Sequence, residues 1–202
     1  VAPERGRSQR ALGRLPEEAI GLVESVPGVA SVDPFLSFEA TRDGAPYSIG
    51  SGRFDLVAAH GDLPMVDGSR TREVLARALE RDEAVVSEPY SVKFGVKAGD
   101  SVSLPALDGP VALRVAGVYR DYSNDRGAVT IDRALFRKLF RMDGAVSLAV
   151  RLEPGVAPEE ARRMLLAAAN GRYALRVQTN AALRGAALAL FDRTFAVTWA
   201  LE

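Results

Sequence analysis

The sequence predicts a mixed α/β fold: a split-βαβ layer interrupted by a small inserted α/β subdomain. Three observations predict it. Two helices open on the same four residues, Pro16-Glu17-Glu18-Ala19 and Pro158-Glu159-Glu160-Ala161, and each gives way to a strand. Directly before the second helix, Val146, Leu148, Val150 and Leu152 alternate with smaller or polar residues. Strand, helix and strand there make a βαβ unit, whose crossover is expected to be right-handed. Between the two copies lies an unrelated β-rich stretch, Val85 to Phe140. The layer is assigned to residues 1–44 and 144–202, and the insert to residues 45–143. Clean alternation in the strands argues that helices cover only one sheet face.

The first copy reads as a helix from Pro16 to about Pro27-Gly28, then a strand at Val29–Val32. Proline suits the first helical position, where its missing N–H would be unpaired anyway. Glu17 and Glu18 lie against the positive end of the helix dipole. Ala19, Leu22, Val23 and Val26 form the predicted inner face. The first copy has no clear leading strand: either it is trimmed or it lies in Val1–Pro3. Phe35–Ala40 is a second strand, and Arg42-Asp43-Gly44-Ala45-Pro46 turns it. Ser48–Val57 reads as extended. Ser69 is placed as the cap of a helix with Val74, Leu75, Ala78 and Leu79 inward.

The insert then continues through a short apolar strand, Ala84–Ser87, and a helical turn. Val102 and Leu104 share one face of a strand opened by Gly99-Asp100. Asp108-Gly109-Pro110 turns it, and Val111, Leu113 and Val115 alternate on the way back. The phase slips at Gly117, which predicts a β-bulge. Val129 and Ile131 form a third strand. Asp132 caps a helix with Leu135, Phe136, Leu139 and Phe140 buried. The second copy ends near Asn170-Gly171 and leads to a strand at Tyr173–Val177. Its inner face is Ala161, Met164, Leu165 and Ala168.

Composition narrows the function. The chain has 202 residues and is 48% hydrophobic, enough for sizeable cores. Lys+Arg and Asp+Glu number 26 each, which argues against a nucleic-acid partner. The absence of Cys excludes disulfides, thiol nucleophiles and Cys-based metal sites. No stretch of about 18 apolar residues spans a bilayer. VAPERGRSQR lacks the apolar stretch of a signal peptide. Both ends read as cuts through a longer chain.

The candidate sites read as structural. His60, the only histidine, has no nucleophile or orienting carboxylate in a known arrangement, and zinc is not expected with one His and no Cys. Asp121, Ser123, Asp125 and Asp132 approximate calcium-loop spacing, but Arg126 stands where the loop requires Gly. Ser87-Glu88 lacks the elbow glycines of a hydrolase. Gly50-Ser51-Gly52 has no phosphate-loop Lys. Arg70, Arg72, Arg77 and Arg81, with Glu73 and Glu80, read as a solvated helix face with ion pairs. No catalytic residue, metal site or cofactor is expected, and no enzyme activity.

The order AVVSE, GVKAGDSVSL, RVAGVYRDY and GAVTIDR resembles the outer part of a MacB-like periplasmic core domain, found in FtsX-like ABC-transporter permeases. Phe191 to Thr198 resembles the approach to a transmembrane helix in long permeases of that kind. The resemblance runs from about Leu15 to Glu202. It implies a membrane-proximal porter-like subdomain made from both chain ends and an inserted outer subdomain. It also implies a non-catalytic, extracytoplasmic domain on the periplasmic face of the bacterial cytoplasmic membrane. An ATP-binding subunit on the cytoplasmic side would drive it, with a second permease copy or a periplasmic protein as further partners. The output would be export, lipoprotein or lipid release, or signalling. A free-standing periplasmic binding or adaptor module is the alternative, and a hydrolase with an unrecognised site is a third. Gly44 and Gly144 are the candidate hinges. Asn180 is expected to cap a helix running to Glu202, about 33 Å long at 1.5 Å per residue. Phe191, Phe195 and Trp199, spaced by four, are expected to form its membrane-entry stripe.

Overall fold

Residues 2–3, 13–121 and 124–182 are described by the computed structural model. Phe191, Phe195 and Trp199, and with them the expected membrane-entry helix, lie outside the described residues. Residues 180–182, where that helix is expected to begin, are helical. Thr179, not Asn180, supplies the cap, its Oγ1 accepting from the Ala182 N–H at 3.2 Å.

The chain runs β1 (Ala2–Pro3), α1 (Glu17–Glu24), β2 (Val29–Arg42), β3 (Ala45–Gly52), α2 (Phe54–His60) and α3 (Thr71–Glu80). It continues β4 (Ala84–Ser87), α4 (Glu88–Phe94), β5 (Ser101–Ala106), β6 (Gly109–Tyr119), β7 (Ala128–Asp132) and α5 (Arg133–Phe140). β8 (Ser147–Leu152), α6 (Pro158–Ala169) and β9 (Leu175–Arg176) follow. One mixed sheet of seven strands has the order β5-β6-β4-β7-β3-β2-β8. β1 and β9 form a separate antiparallel pair. The leading strand sought in the first copy is therefore Ala2–Pro3, and the strand after the second helix is shorter than Tyr173–Val177.

The expected strands at Val29–Val32 and Phe35–Ala40 are one strand. Its first part pairs with β8, from Val29↔Leu152 to Phe35↔Ser147. Its second part pairs with β3, from Leu36↔Ser51 to Arg42↔Ala45. Pro34 does not interrupt it, although proline contributes no N–H to a ladder. β2 thus joins the two chain copies to the insert through continuous backbone. Asp43 and Gly44 both have positive φ, 52° and 77°, and make the two-residue turn to β3. That combination matches the right-handed twist of a hairpin, and Asp-Gly is a preferred pair for it.

Three apolar clusters hold the layers together. α1 and α6 pack over β2 and β8 through Ala19, Ile20, Val23, Val26, Val32, Leu148 and Leu165. Ile20 occupies the place expected of Leu22, which is only half-buried. The central cluster joins β3, β4, β6 and β7 to α4 and α5, with Tyr47, Tyr90, Ile131 and Phe136 at its heart. The third lies under α2 and α3. There Val74, Leu75 and Ala78 are buried as expected, but Leu79 is exposed.

The bulge falls beside Gly117: Ala84 pairs with Val115 and Val85 with Gly117, leaving Ala116 as the extra residue. Gly117 also admits α3, because a Cβ there would lie 2.9 Å from Val74 Cγ1. Asp132 caps α5, Oδ1 accepting from the Ala134 N–H at 2.8 Å. Ser69 does not cap α3. Its N–H and hydroxyl both donate to Asp67 Oδ1, at 3.0 and 2.6 Å, and Arg70 holds the cap position without a side-chain bond.

Ser48–Val57 is extended only to Gly52, where the chain turns into α2. Carboxylates from distant strands start that helix. Asp33 Oδ1 accepts from the Arg53 N–H at 2.8 Å, and Asp132 Oδ2 from the Phe54 N–H at 3.2 Å. First-turn N–H groups have no partner within a helix, so these carboxylates decide where it begins.

Gly127 marks the tightest crossing of the insert. Its φ is +85°, and a Cβ would lie 2.7 Å from the Tyr90 backbone. Gly127→Ala is expected to cost more than about 2 kcal/mol, since it adds a backbone clash to left-handed strain. Gly44→Ala, with open space around its Cβ position, is expected to cost about 1 kcal/mol. Urea midpoints of the two variants check this. Equal losses would mean that the contact with Tyr90 contributes nothing.

Candidate functional site

The residues considered for chemistry occupy structural positions. Ser87 is buried, and its Oγ accepts from Tyr90 N–H at 3.4 Å and Ala128 N–H at 2.8 Å, tying α4 to β7. His60 is exposed at the end of α2. Asp132 is engaged at the starts of α2 and α5. Ser123 lies outside the described residues. Gly50-Ser51-Gly52 forms most of the inner end of β3. Gly50 makes room for the Phe35 ring, 3.1 Å from where a Cβ would stand, and the Asp33 carboxylate lies 3.8 Å from the same position on Gly52. No group of three or more metal-ligating side chains occurs among the described residues.

The polar centre of the molecule is instead a junction around Arg133, the first residue of α5. Its side chain is only 8% exposed. One guanidinium nitrogen, Nη1, donates to the carbonyls of Pro34 at 3.4 Å and Gly144 at 3.2 Å. The other, Nη2, donates to Glu17 Oε2 at 3.1 Å. Glu17 Oε2 also accepts from the Gly144 N–H at 3.1 Å. Arg137, one turn further along α5, lies 3.5 Å from Glu17 Oε1 and 2.6 Å from Asp143 Oδ1. Beside this cluster Leu15 and Ala145 exchange both backbone bonds, at 2.7 and 2.9 Å.

Three segments assigned to the chain copies meet the insert here. Arg133 belongs to the insert, Glu17 to α1, Pro34 to β2, and Gly144 to the return segment. Planar guanidinium donors suit such a task, because one fixed fork serves several acceptors at once. Gly144 has a φ of +84°, and a Cβ there would lie 2.3 Å from the Leu15 carbonyl oxygen. Only glycine fits. Gly44, the other proposed hinge, sits at the far tip of the β2–β3 hairpin with nothing within 4 Å.

Sequence reasoning placed Glu17 at a helix N-terminus and named Gly144, but missed Arg133. A single Arg after a capping Asp carries no local sign of burial. Asp33 lies close to the junction. Burial pushes its carboxyl above the ordinary carboxylate range, against the opposing pull of the Arg53 N–H and guanidinium.

The described residues also frame an open groove of about 770 Å³ between β8, α6 and residues 176–181. Its walls include Leu148, Val150, Leu152, Ala161 and Leu165.

The MacB-like periplasmic core domain profile matches residues 1–168, a stretch that includes the junction, the insert and most of α6. The chain belongs to this family. It is similar to an uncharacterized ABC transporter permease protein of Mycobacterium tuberculosis, with 27% identity over the whole chain. The chain spans 24% of that protein's length. The fold is that of the periplasmic region of MacB from Actinobacillus actinomycetemcomitans, with a TM-score of 0.63 at 15% identity. That match covers 92% of this chain and 89% of the other. The extracellular domain of the transporter YknZ from Gram-positive bacteria has a TM-score of 0.54 at 16% identity, with 88% and 96% covered. No helix among the described residues is long and apolar enough to cross a membrane.

Two outcomes test the junction. Arg133→Met is expected to cost about 2–3 kcal/mol, because two buried carbonyls lose their donor. Glu17→Gln is expected to cost about 1 kcal/mol or less, since Glu17 is 42% exposed and its ion pair is screened. Chemical denaturation measures both, and equal costs would contradict this ranking. Asp33 gives a pH signature. A carboxyl with a raised folded-state pKa contributes stability that is complete below the unfolded value of 3.8 and lost as pH rises through the folded value. Relative to Asp33→Asn, the native chain is therefore expected to be most favoured below about pH 3.8 and to lose ground as the pH rises above it. A urea-midpoint difference independent of pH would contradict it.

Proposed function

We propose that this chain is the extracytoplasmic domain of an ABC-transporter permease, and that it works as a mechanical element without catalysis. The family match over residues 1–168 carries the reading. An ATP-binding subunit on the cytoplasmic side supplies the energy, and membrane segments of the longer permease pass the motion outward. Residues 1–44 and 144–202 form the membrane-proximal part, and residues 45–143 the outer part. The Arg133 junction supports this division, because it ties α1, β2 and the return crossing at Gly144 to the insert at one place. Gly144 is the hinge candidate with a geometric basis: it stands where the chain returns, in a conformation reserved for glycine. Gly44 acts only as a turn within the hairpin in this reading. Movement transmitted across the junction drives export, lipid or lipoprotein release, or signalling to a partner outside the membrane. A second permease copy or an extracytoplasmic protein receives it.

The test uses the complete permease with its ATP-binding subunit. Val92 is 78% exposed on α4 and this segment has no cysteine of its own. With any other cysteines removed from the permease, Val92→Cys is expected to react in intact cells with a membrane-impermeant maleimide. Labelling only after the cells are opened would overturn the location. Glu17→Gln, which loosens the junction while leaving the fold intact, is expected to lower transport-coupled ATP turnover at unchanged permease abundance. Turnover equal to that of the native permease would remove the junction from the coupling path.

A further inference from the structure

Arg77 and Arg81 stand one turn apart at the end of α3 and face the bulged part of β6. Together with Arg114 they line a half-open pocket of about 290 Å³. Arg77 is held in place. Its Nε lies 3.5 Å from Glu83 Oε2, and its Nη2 donates to the bulge carbonyl of Ala116 at 2.5 Å. Glu83 is buried, and it is the one carboxylate lining the pocket. Arg81 and Arg114 make no ion pair among the described residues.

Neighbouring acidic groups form no ion pair with Arg81 or Arg114 among the described residues. The Asp100 carboxylate accepts from the Lys97 N–H at 2.8 Å. Asp82 is exposed and makes no ion pair among the described residues. Gly99 forms part of the wall with a φ of +94°, and a Cβ there would lie 3.8 Å from the Arg114 guanidinium. Three arginines therefore line a cavity with one carboxylate, and that carboxylate is already paired with Arg77. The expected solvated face with ion pairs holds for Arg70 and Glu73, at 3.4 Å, whereas Arg77 pairs with the buried Glu83 and Arg81 makes no ion pair among the described residues.

We propose that this pocket binds a phosphate group, with Arg81 and Arg114 as the gripping residues and Arg77 as the fixed wall. Guanidinium forks match the spacing of phosphate oxygens and make charge-assisted bonds to them. The space admits a phosphate and the start of whatever bears it. The ligand is either a free phosphate or the phosphate headgroup of a lipid. The proposal does not depend on the mechanical reading above.

The experiment has two arms. In the first, inorganic phosphate is titrated into the chain against sodium chloride of equal ionic strength. Arginine Nε–Hε and backbone signals are followed by NMR. Saturable shifts are expected at Arg81, Arg114 and Gly99. The double variant Arg81→Gln/Arg114→Gln is expected to weaken binding by about tenfold or more, the scale of losing charge-assisted bonds. Arg120→Gln and Arg151→Gln, at exposed sites elsewhere, are expected to leave it unchanged. In the second arm, sedimentation with phosphatidic acid–phosphatidylcholine vesicles is compared with phosphatidylcholine alone. Recruitment lost in the double variant assigns a lipid headgroup. Phosphate binding without recruitment assigns a free phosphate. Shifts that chloride reproduces, or that persist in the double variant, overturn the proposal, as does a failure to bind in both arms. All four substitutions are at exposed positions, so unchanged urea midpoints are expected to show that the fold survives.

Discussion

A guanidinium withdrawn from water must find protein acceptors for its donors, and Arg133 finds them on three separate parts of the chain. Its charge remains whatever the surroundings, because arginine does not deprotonate in proteins. The fold therefore has to bring Glu17, the Pro34 carbonyl and the Gly144 carbonyl to one point. Each acceptor lies on a different segment, separated from Arg133 by 116, 99 and 11 residues. Glu17 then accepts from Gly144 as well, so the cluster closes on itself. Leaving one member out would strand the others, which makes the junction a device for specifying one arrangement.

The long strand β2 depends on that arrangement. Its Pro34 cannot donate to the sheet, yet its carbonyl is taken by Arg133. On one side of the Pro34–Leu36 region β2 pairs with β8, and on the other with β3. The two neighbours belong to different parts of the chain, and only the register along β2 relates them. The Arg133 cluster sits where this change of partner occurs. In the mechanical reading we propose, a rigid crossing of that kind would allow a displacement of α1 and α6 to reach the insert. A loosely packed linker would absorb it.

The insert is built by short-range crossings as well as by its apolar core. Gly127 passes directly over the Tyr90 backbone, and Ser87 Oγ receives N–H groups from both sides of that crossing. Gly50 and Gly52 give room to Phe35 and Asp33. The small-residue run Gly50-Ser51-Gly52 is thus part of a sheet strand. The reason is packing: a bulky neighbour on β2 needs the space that a missing Cβ leaves.

Features set by neighbouring residues were legible in the sequence. The duplicated helix starts, the alternation of β5, β6 and β8, the slip at Gly117, the Asp43-Gly44 turn and the Asp132 cap all depend on groups a few positions apart. Periodicity, turn chemistry and capping act over that range, and the family resemblance rests on the same local order. The order of the seven strands, the unbroken course of β2 through Pro34 and the burial of Arg133 were decided by tertiary structure. So was the start of α2, where Asp33 and Asp132 reach N–H groups 20 and 78 residues away. Ser69 shows the same limit at shorter range, since it lies one residue ahead of the Arg70 cap position and its hydroxyl turns to Asp67. A residue's type and spacing determine which bonds it is able to make. Which of them it does make depends on the groups that folding brings within about 3 Å, and one-dimensional order does not contain that distance.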